Sequence, residues 1–365
     1  MLSGVVPRIG QMPWQTSAMG DTEFLTDDAG DDAGDDAGAQ AGAQLPGGHR
    51  RFRLFARVAA AVSLAAVLVP VAARLTGWEP GPIAWLVSLM PWVTLACAIP
   101  VAFAMLARSG RLTVAAVLPL ALCVAWVAPL CAADGAPADA TAAPVLRVAT
   151  INLTFGQADA DAVVRLVVDR SIDVLALQEL TPRAVEALRE AGLDDAMPYS
   201  EVRAEQGFAG TGLWSRQPFA AAESLDELES RAVRVEISVA GAPLAIYAVH
   251  PMAPGVADHS LWVADMGALA ALLTPRDGAV LVAGDFNATR DHRSFRALED
   301  LGFVDAADEA GAGFLPTFPE GRLPMPIVAI DHVITRDAPL IAVDVATVAI
   351  VGADHRALVV TYADA

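Results

Sequence analysis

The residues with chemical potential recur at one kind of place, the end of a short apolar run. Asn152 follows Val148-Ala149-Thr150-Ile151, and Glu179 follows Val174-Leu175-Ala176-Leu177-Gln178. His250 follows Tyr247-Ala248-Val249, and Asp285 and Asn287 close the run Val280-Leu281-Val282-Ala283-Gly284. Asp331 and the pair Asp354-His355 come later in the same region. Asp285 and Asn287 are two apart, so side chains that alternate along a strand would point the same way. Carboxylates with carboxamides suit a hard cation, which takes one or two carboxylates beside water and phosphate oxygens. Histidine adds a group that titrates at about 6.5, and an aspartate behind it fixes its tautomer. Hydrolysis at a phosphate needs these types: a cation on a non-bridging oxygen and a proton carrier near neutral pH. Taken singly, each residue also has an ordinary use. Asn152 can cap or turn, Glu179 can cap the helix opened by Thr181-Pro182, His250 can sit in an exposed loop, and the Asp-His pairs can be turn residues. Their recurrence after successive apolar runs favours one shared site.

The elements that must position them begin at Val145. Periodicity predicts strands over 145–151, 174–177, 231–239, 242–249, 279–283, 327–335, 340–351 and 357–362. It predicts helices over 159–170, 182–191, 258–273 and 291–301. The expected fold class is α/β (α+β), with mixed or antiparallel sheets rather than one doubly wound parallel sheet.

Ahead of this region the composition changes. The chain is 55% hydrophobic, has a net charge of −19 and contains no lysine; its mean hydropathy of +0.46 is high for a soluble protein. Residues 1–49 form an acidic tail with three Asp-Asp-Ala-Gly units between Asp27 and Gly38, too polar to bury a core and expected to be disordered. Three apolar stretches follow, about 58–75, 82–107 and 112–132, each reaching the ~17–25 residues needed to cross a bilayer. They are expected to be transmembrane helices, with Trp78, Trp85 and Trp126 in an interfacial belt. Arg50, Arg51, Arg53 and Arg57 precede the first stretch, and Arg108 and Arg111 fill the turn before the third. Positive-inside logic puts the N-terminus in the cytoplasm and everything after 132 outside. Residues 133–143 read as a linker reaching at most ~40 Å, which holds the domain 144–365 close to the bilayer. Cys97, Cys123 and Cys131 all lie in or beside apolar stretches, so the C-terminal domain has no disulfide framework.

In chain order, Ala149-Thr150-Ile151-Asn152-Leu153, Leu175-Ala176-Leu177-Gln178-Glu179, Gly210-Thr211-Gly212-Leu213-Trp214-Ser215-Arg216-Gln217-Pro218, Val249-His250-Pro251, Gly284-Asp285-Phe286-Asn287, Ile330-Asp331-His332 and Gly352-Ala353-Asp354-His355 carry a resemblance to a known family. They resemble the motifs of the endonuclease/exonuclease/phosphatase (deoxyribonuclease I-like) superfamily across 145–365. The resemblance implies a four-layer sandwich, two sheets flanked by helices with the site at one edge. It implies that Glu179 is the principal Mg²⁺ ligand, helped by Asn152 and Asp354, with Mn²⁺ or Ca²⁺ as possible substitutes. By the same carry-over Asp285 and Asn287 orient the nucleophile and the phosphate. His355, held by Asp331, is general base or transition-state donor, and His250 is a second donor to the phosphate.

Two departures bear on the substrate. Val-Ala-Ile precedes Asp331 where many relatives carry Arg-Ile, and the domain is too small for long DNA-gripping insertions. Residues 144–365 hold 16 Arg against 32 Asp plus Glu, a net of −16 with no basic run, whereas duplex binding depends on cations that neutralise phosphates. Nucleic acid is therefore disfavoured. Three spans followed by an external domain also resemble the VanJ-type membrane proteins linked to teicoplanin resistance; Asp285-Phe286-Asn287-Ala288-Thr289-Arg290-Asp291-His292 and Pro316-Thr317-Phe318-Pro319 fit that subgroup. That likeness implies a membrane-associated phosphoester substrate, such as undecaprenyl pyrophosphate. The alternatives are an extracytoplasmic nuclease and a non-catalytic membrane-tethered binding protein.

Overall fold

A computed structural model describes residues 47–132, 145–255, 259–274 and 278–365. The acidic tail up to Pro46 and the linker expected over 133–143 lie outside the described residues.

The apolar region forms α1 (Gly47–Thr76), α2 (Pro82–Ser88), α3 (Met90–Ala96), α4 (Ala98–Leu106) and α5 (Gly110–Val127), the last running into a 3-10 turn at Ala128–Cys131. Two of these, α1 and Gly110–Cys131, are long and apolar enough to cross a membrane. The expected middle span is broken. α2 meets Met90–Leu106 at 74°, so the described residues hold two continuous candidate spans, or three if the bent pair counts as one. Pro91 sits in the first turn of α3 and has no N–H to carry the ladder back into α2, which ends the helix there. Packing holds the break open. Ala84 of α2 is fully buried among Trp262, Met266, Phe286 and Phe295 of the C-terminal region.

Both basic ends of this bundle lie together. Phe55 near the start of α1 meets Phe103 near the end of α4 edge-on, at 6.4 Å between centroids. His49, Phe52 and Arg53 line one cleft with Met105, Leu106 and Arg108. The other end, from Arg74 to Trp92 and from Trp126 to Leu130, bonds to the C-terminal domain.

That domain runs β1 (Leu146–Asn152), α6 (Ala160–Asp169), β2 (Val174–Gln178), α7 (Pro182–Glu190), α8 (Leu193–Ala196), β3 (Tyr199–Arg203), β4 (Thr211–Ser215), β5 (Ala221–Leu225), β6 (Ala232–Val239), β7 (Ala242–Val249), α9 (Ser260–Leu273), β8 (Val280–Asp285), α10 (Arg293–Asp300), β9 (Val304–Asp305), α11 (Ala306–Glu309), β10 (Asp331–Arg336), β11 (Leu340–Ala349) and β12 (Arg356–Asp364). It makes two six-stranded mixed sheets, ordered β11-β12-β1-β2-β4-β3 and β5-β6-β7-β8-β10-β9. Strand alternation builds the layers. Val148 of β1 and Leu281 and Ala283 of β8 face the core between the sheets. Ala149 and Ile151 face α6 and α7, while Val280 and Val282 face α9 and α10. The expected four-layer arrangement of helix, sheet, sheet and helix is present.

The caps follow local chemistry. Asp159 accepts the Ala162 N–H ahead of α6, and Thr181 accepts the Ala184 N–H ahead of α7, whose first residue is Pro182. The strand expected over 327–335 is shorter, Asp331–Arg336. Val328 pairs instead with Phe318, and Thr317 Oγ1 accepts from Ile330 N, so residues before 331 close a loop. β3, β4, β5 and β9 were not legible as periodic runs, β4 being buried along its whole length. They are short, and β3 and β5 are edge strands whose faces are largely exposed.

Candidate active site

The ends of β1, β2, β7 and β8 and the start of β10 converge on one edge, and the side chains singled out in the sequence meet there. Parallel pairing of β1 with β2 sets Asn152 opposite Gln178, one residue before Glu179. Antiparallel pairing of β8 with β10 sets Asp285 directly opposite Asp331. Parallel pairing of β7 with β8 sets Val249 beside Gly284. A Cβ on Gly284 would lie 2.0 Å from the Val249 carbonyl oxygen, so only glycine lets Asp285 and His250 come together.

Asn152 is the hub. Its Nδ2 donates to Glu179 Oε1 at 3.2 Å and to Asp285 Oδ2 at 3.0 Å, while its Oδ1 accepts from Thr154 N at 2.9 Å. Glu179 Oε2 accepts from Phe155 N at 2.6 Å. Asp285 Oδ1 accepts from Asn287 N at 2.8 Å, and Asn287 Nδ2 donates to the Pro251 carbonyl at 3.0 Å. Asp285 Oδ2 lies 3.6 Å from His250 Nε2 and 3.7 Å from His355 Nε2. The far nitrogen of His250 faces the Phe208 carbonyl at 3.2 Å, so Nδ1 carries its hydrogen and Nε2 points into the site. His355 Nδ1 bonds Asp331 Oδ2 at 2.9 Å. Each residue expected at the site is at this edge.

Backbone strain marks the same place. Thr154, Phe155, Glu179 and Asn287 have φ of 50°, 54°, 53° and 49°, in the left-handed region that side chains with a Cβ avoid. Such strain persists only where the surroundings enforce it, and here it aims the Phe155 N–H at Glu179 and the Asn287 N–H at Asp285.

Electrostatics separate two roles. Burial opposes charge on His355, but Asp331 and then Asp285 outweigh it and raise the imidazole to about 9. Its charged form, with hydrogens on both ring nitrogens, is favoured at neutral pH. Burial raises Asp285 above the usual carboxylate range; His355 and His250 pull it back and Asp331 pushes it further up. Asp285 is therefore the group inclined to take a proton.

Among the described residues, the His/Cys/Asp/Glu ligand atoms that come within 4.8 Å of one another as a group of three belong to Asp285, Asp331 and His355. Asp331 Oδ1 is buried without a hydrogen-bond partner. Glu179 remains reachable, with its side chain 14% exposed. Oxygen donors and a surplus of buried negative charge fit a hard divalent ion. Asp354 is engaged elsewhere: Oδ1 accepts from Thr154 Oγ1 at 2.5 Å, and Oδ2 pairs with Arg322 at 2.7 Å. Asn152 turns its nitrogen, not its oxygen, toward Glu179.

Several contributors escaped the sequence reading. Thr154 and Phe155 tie Glu179 to Asp354. The Phe318 ring lies 4.7 Å from that of His355, between centroids. The Pro316-Thr317-Phe318-Pro319 motif was the one available signal for it.

Three loops of this edge also hold the apolar helices. After β7, the Pro254 carbonyl accepts from Trp85 Nε1 at 3.0 Å. After β8, Asp291 pairs with Arg74 at 2.5 Å in a buried bridge, and the Arg74 guanidinium lies 3.9 Å over the Trp126 ring. One residue on, His292 Nδ1 accepts from Thr289 N at 2.8 Å and Nε2 bonds the Ala84 carbonyl at 3.0 Å, which fixes the neutral tautomer. Burial lowers its pKa further. Before β10, the Ile327 carbonyl accepts from Trp92 Nε1 at 2.8 Å. The catalytic edge and the docking surface are built from the same loops.

Comparison with known proteins gives a family. The family described as Endonuclease/Exonuclease/phosphatase matches residues 149–355, more than half of the chain. No curated protein matches it. Among solved structures, an endonuclease/exonuclease/phosphatase from Bacteroides vulgatus aligns at 17% identity with a TM-score of 0.50, covering 60% of this chain and 99% of its own. Humanized D. rerio TDP2 aligns at 17% identity with a TM-score of 0.49, over 60% of this chain and 98% of its own. An AP endonuclease from Archaeoglobus fulgidus aligns at 16% identity with a TM-score of 0.48, over 59% and 98%. These likenesses concern the fold.

Proposed function

Because the chain belongs to the endonuclease/exonuclease/phosphatase family of metal-dependent phosphoric ester hydrolases, we propose that it hydrolyses a phosphate or pyrophosphate ester displayed at a membrane surface. A lipid-linked carrier such as undecaprenyl pyrophosphate is the substrate class. One observation carries this reading: the loops that form the catalytic edge are those that grip the apolar helices. A site built this way works within reach of lipid.

Glu179, oriented by the Asn152 amide, would hold Mg²⁺, which when bound supplies positive charge against a non-bridging phosphate oxygen. The chain's own residues do the rest. Asp285 orients water and takes its proton, a task suited to its raised pKa. The His355 imidazolium, kept charged by Asp331, donates to the phosphoryl oxygens as negative charge builds there. His250 Nε2 faces the same group, and Asn287 Nδ2 turns from the Pro251 carbonyl toward the phosphate. An intact set of these groups speaks for catalysis over passive binding.

The proposal includes an extracytoplasmic catalytic domain. In support, Arg53 and Arg108 share the bundle end away from it, and Trp85, Trp92 and Trp126 gather at the near end. The net charge of −16 over 144–365, from 16 Arg and 32 Asp plus Glu, supports a substrate other than polynucleotide.

The test uses full-length protein in detergent with Mg²⁺, assayed for phosphate release from polyprenyl pyrophosphate and for plasmid nicking, with Glu179→Gln as control. Release from the lipid, lost in the control, is expected. Nicking without lipid hydrolysis would overturn the substrate class. A reporter fused after Ala365 tests orientation, and a cytoplasmic signal would remove it.

A further inference from the structure

The segment between α11 and β10 touches both the catalytic centre and the apolar helices. On one side Phe318 packs on His355, Glu320 N donates to the Asp354 carbonyl at 2.7 Å, and Arg322 pairs with Asp354 Oδ2 at 2.7 Å. On the other, the Ile327 carbonyl is held by Trp92, the Phe314 ring meets Trp92 edge-on at 6.0 Å, and Gly313 N donates to the Leu130 carbonyl at 2.6 Å. Both flanks are therefore fixed. The tip between them is Arg322-Leu323-Pro324-Met325-Pro326. Leu323 is 44% exposed and Met325 51%, while the Arg322 side chain is 65% exposed. Two prolines lock φ on either side of Met325 and remove backbone donors, which stiffens the tip that presents these apolar groups.

We infer that this tip is a lip that seats the hydrocarbon chain of the substrate. The inference rests on the proposed reading that the substrate is a chain-bearing phosphoester. A single linear isoprenoid chain is the occupant. Its phosphate end meets His355 and Asn287, with Arg322 on the phosphate side of the lip. Its first isoprene units cross Leu323 and Met325 and continue toward Trp92 and α3. Continuity selects this occupant: the apolar tip lies on one loop with the contacts to Trp92, and the loop's one arginine pairs with Asp354, the residue before His355, in a domain otherwise dominated by carboxylates. Met325 suits a chain of variable contour because its side chain is flexible and polarisable.

The experiment compares isopentenyl, geranyl and farnesyl pyrophosphate with full-length protein in detergent micelles and Mg²⁺. Wild type is expected to favour the longer chains. Leu323→Ser with Met325→Ser should raise KM for farnesyl pyrophosphate about tenfold, the order expected when partial burial of two apolar side chains is lost. The same variant should raise KM much less for isopentenyl pyrophosphate, whose single isoprene unit covers only the start of the lip. Arg322→Ala should lower kcat/KM for all three esters alike. The lip is overturned if the double variant keeps the wild-type chain-length preference or loses all three esters equally; an Arg322→Ala loss confined to farnesyl pyrophosphate overturns the assignment of Arg322 to the phosphate side. Failure of the underlying function reads differently: wild type itself would cleave none of the three.

Discussion

Asp331 and His332 are neighbours on β10, yet each belongs to a different Asp–His pair. Side-chain alternation sends Asp331 to the catalytic edge, where it holds His355, and sends His332 into the outer layer, where Asp305 Oδ2 holds its Nδ1 at 2.5 Å. The pairs differ at the second nitrogen. His355 Nε2 looks across 3.7 Å to Asp285, too far for a hydrogen bond and into the site. His332 Nε2 bonds the Ala288 carbonyl at 3.0 Å. With acceptors at both ends, His332 is held as an imidazolium; burial opposes the charge, but Asp305 outweighs it and raises its pKa. The ring is also walled in by Phe286 and Phe295, at 5.6 and 4.3 Å between centroids. One pair has a nitrogen free to meet a substrate; the other is a clamp that fixes the turn after Asn287. Residue types do not distinguish them. The partner of the outer nitrogen does.

That contrast can be broken at either pair. His355→Gln should cost the most activity, about 10²–10⁴ in kcat/KM, because a positioned proton carrier typically contributes that much. Phosphate-release kinetics would show it, and a loss below tenfold would remove His355 from the chemistry. His332→Phe should act on stability instead. Leaving Asp305 buried without its partner should cost about 3–5 kcal/mol in a denaturant titration, while kcat/KM of the folded fraction changes by less than about tenfold. An activity loss matching that of His355→Gln would erase the distinction between the pairs.

The smallest effect is one of pH. His355 has its pKa raised to about 9 in the fold, so its contribution to stability is complete below its unfolded value of about 6.5. It is lost as pH rises through about 9. In metal-free protein the wild-type melting temperature should therefore fall across that window more than that of His355→Gln. Parallel curves would place the charge elsewhere.

Much of this site was legible in the sequence because strand ends are local features. Gly284-Asp285-Phe286-Asn287 and its fellows announce themselves as polar groups after apolar runs, and their order carried the fold. What stayed hidden depends on tertiary partners. The left-handed backbone at Glu179 and Thr154 is imposed by Asn152 and Asp354, far away in sequence. The middle apolar stretch satisfies every local criterion for a span, yet α2 departs at 74° once Ala84 enters the core beside Phe286. His332 read as a turn residue, since nothing near it in sequence foretells Asp305.

The grip of the post-β8 loop on Arg74, Ala84 and Trp126 also bears on how the enzyme would meet its substrate. With the catalytic edge fixed to the bundle, encounters on the proposed reading are collisions in a plane. The governing variable becomes the mole fraction of phosphoester in the bilayer, an effective concentration set by geometry rather than by the bulk solution. Adding inert lipid at constant total substrate should slow turnover, whereas adding buffer should not.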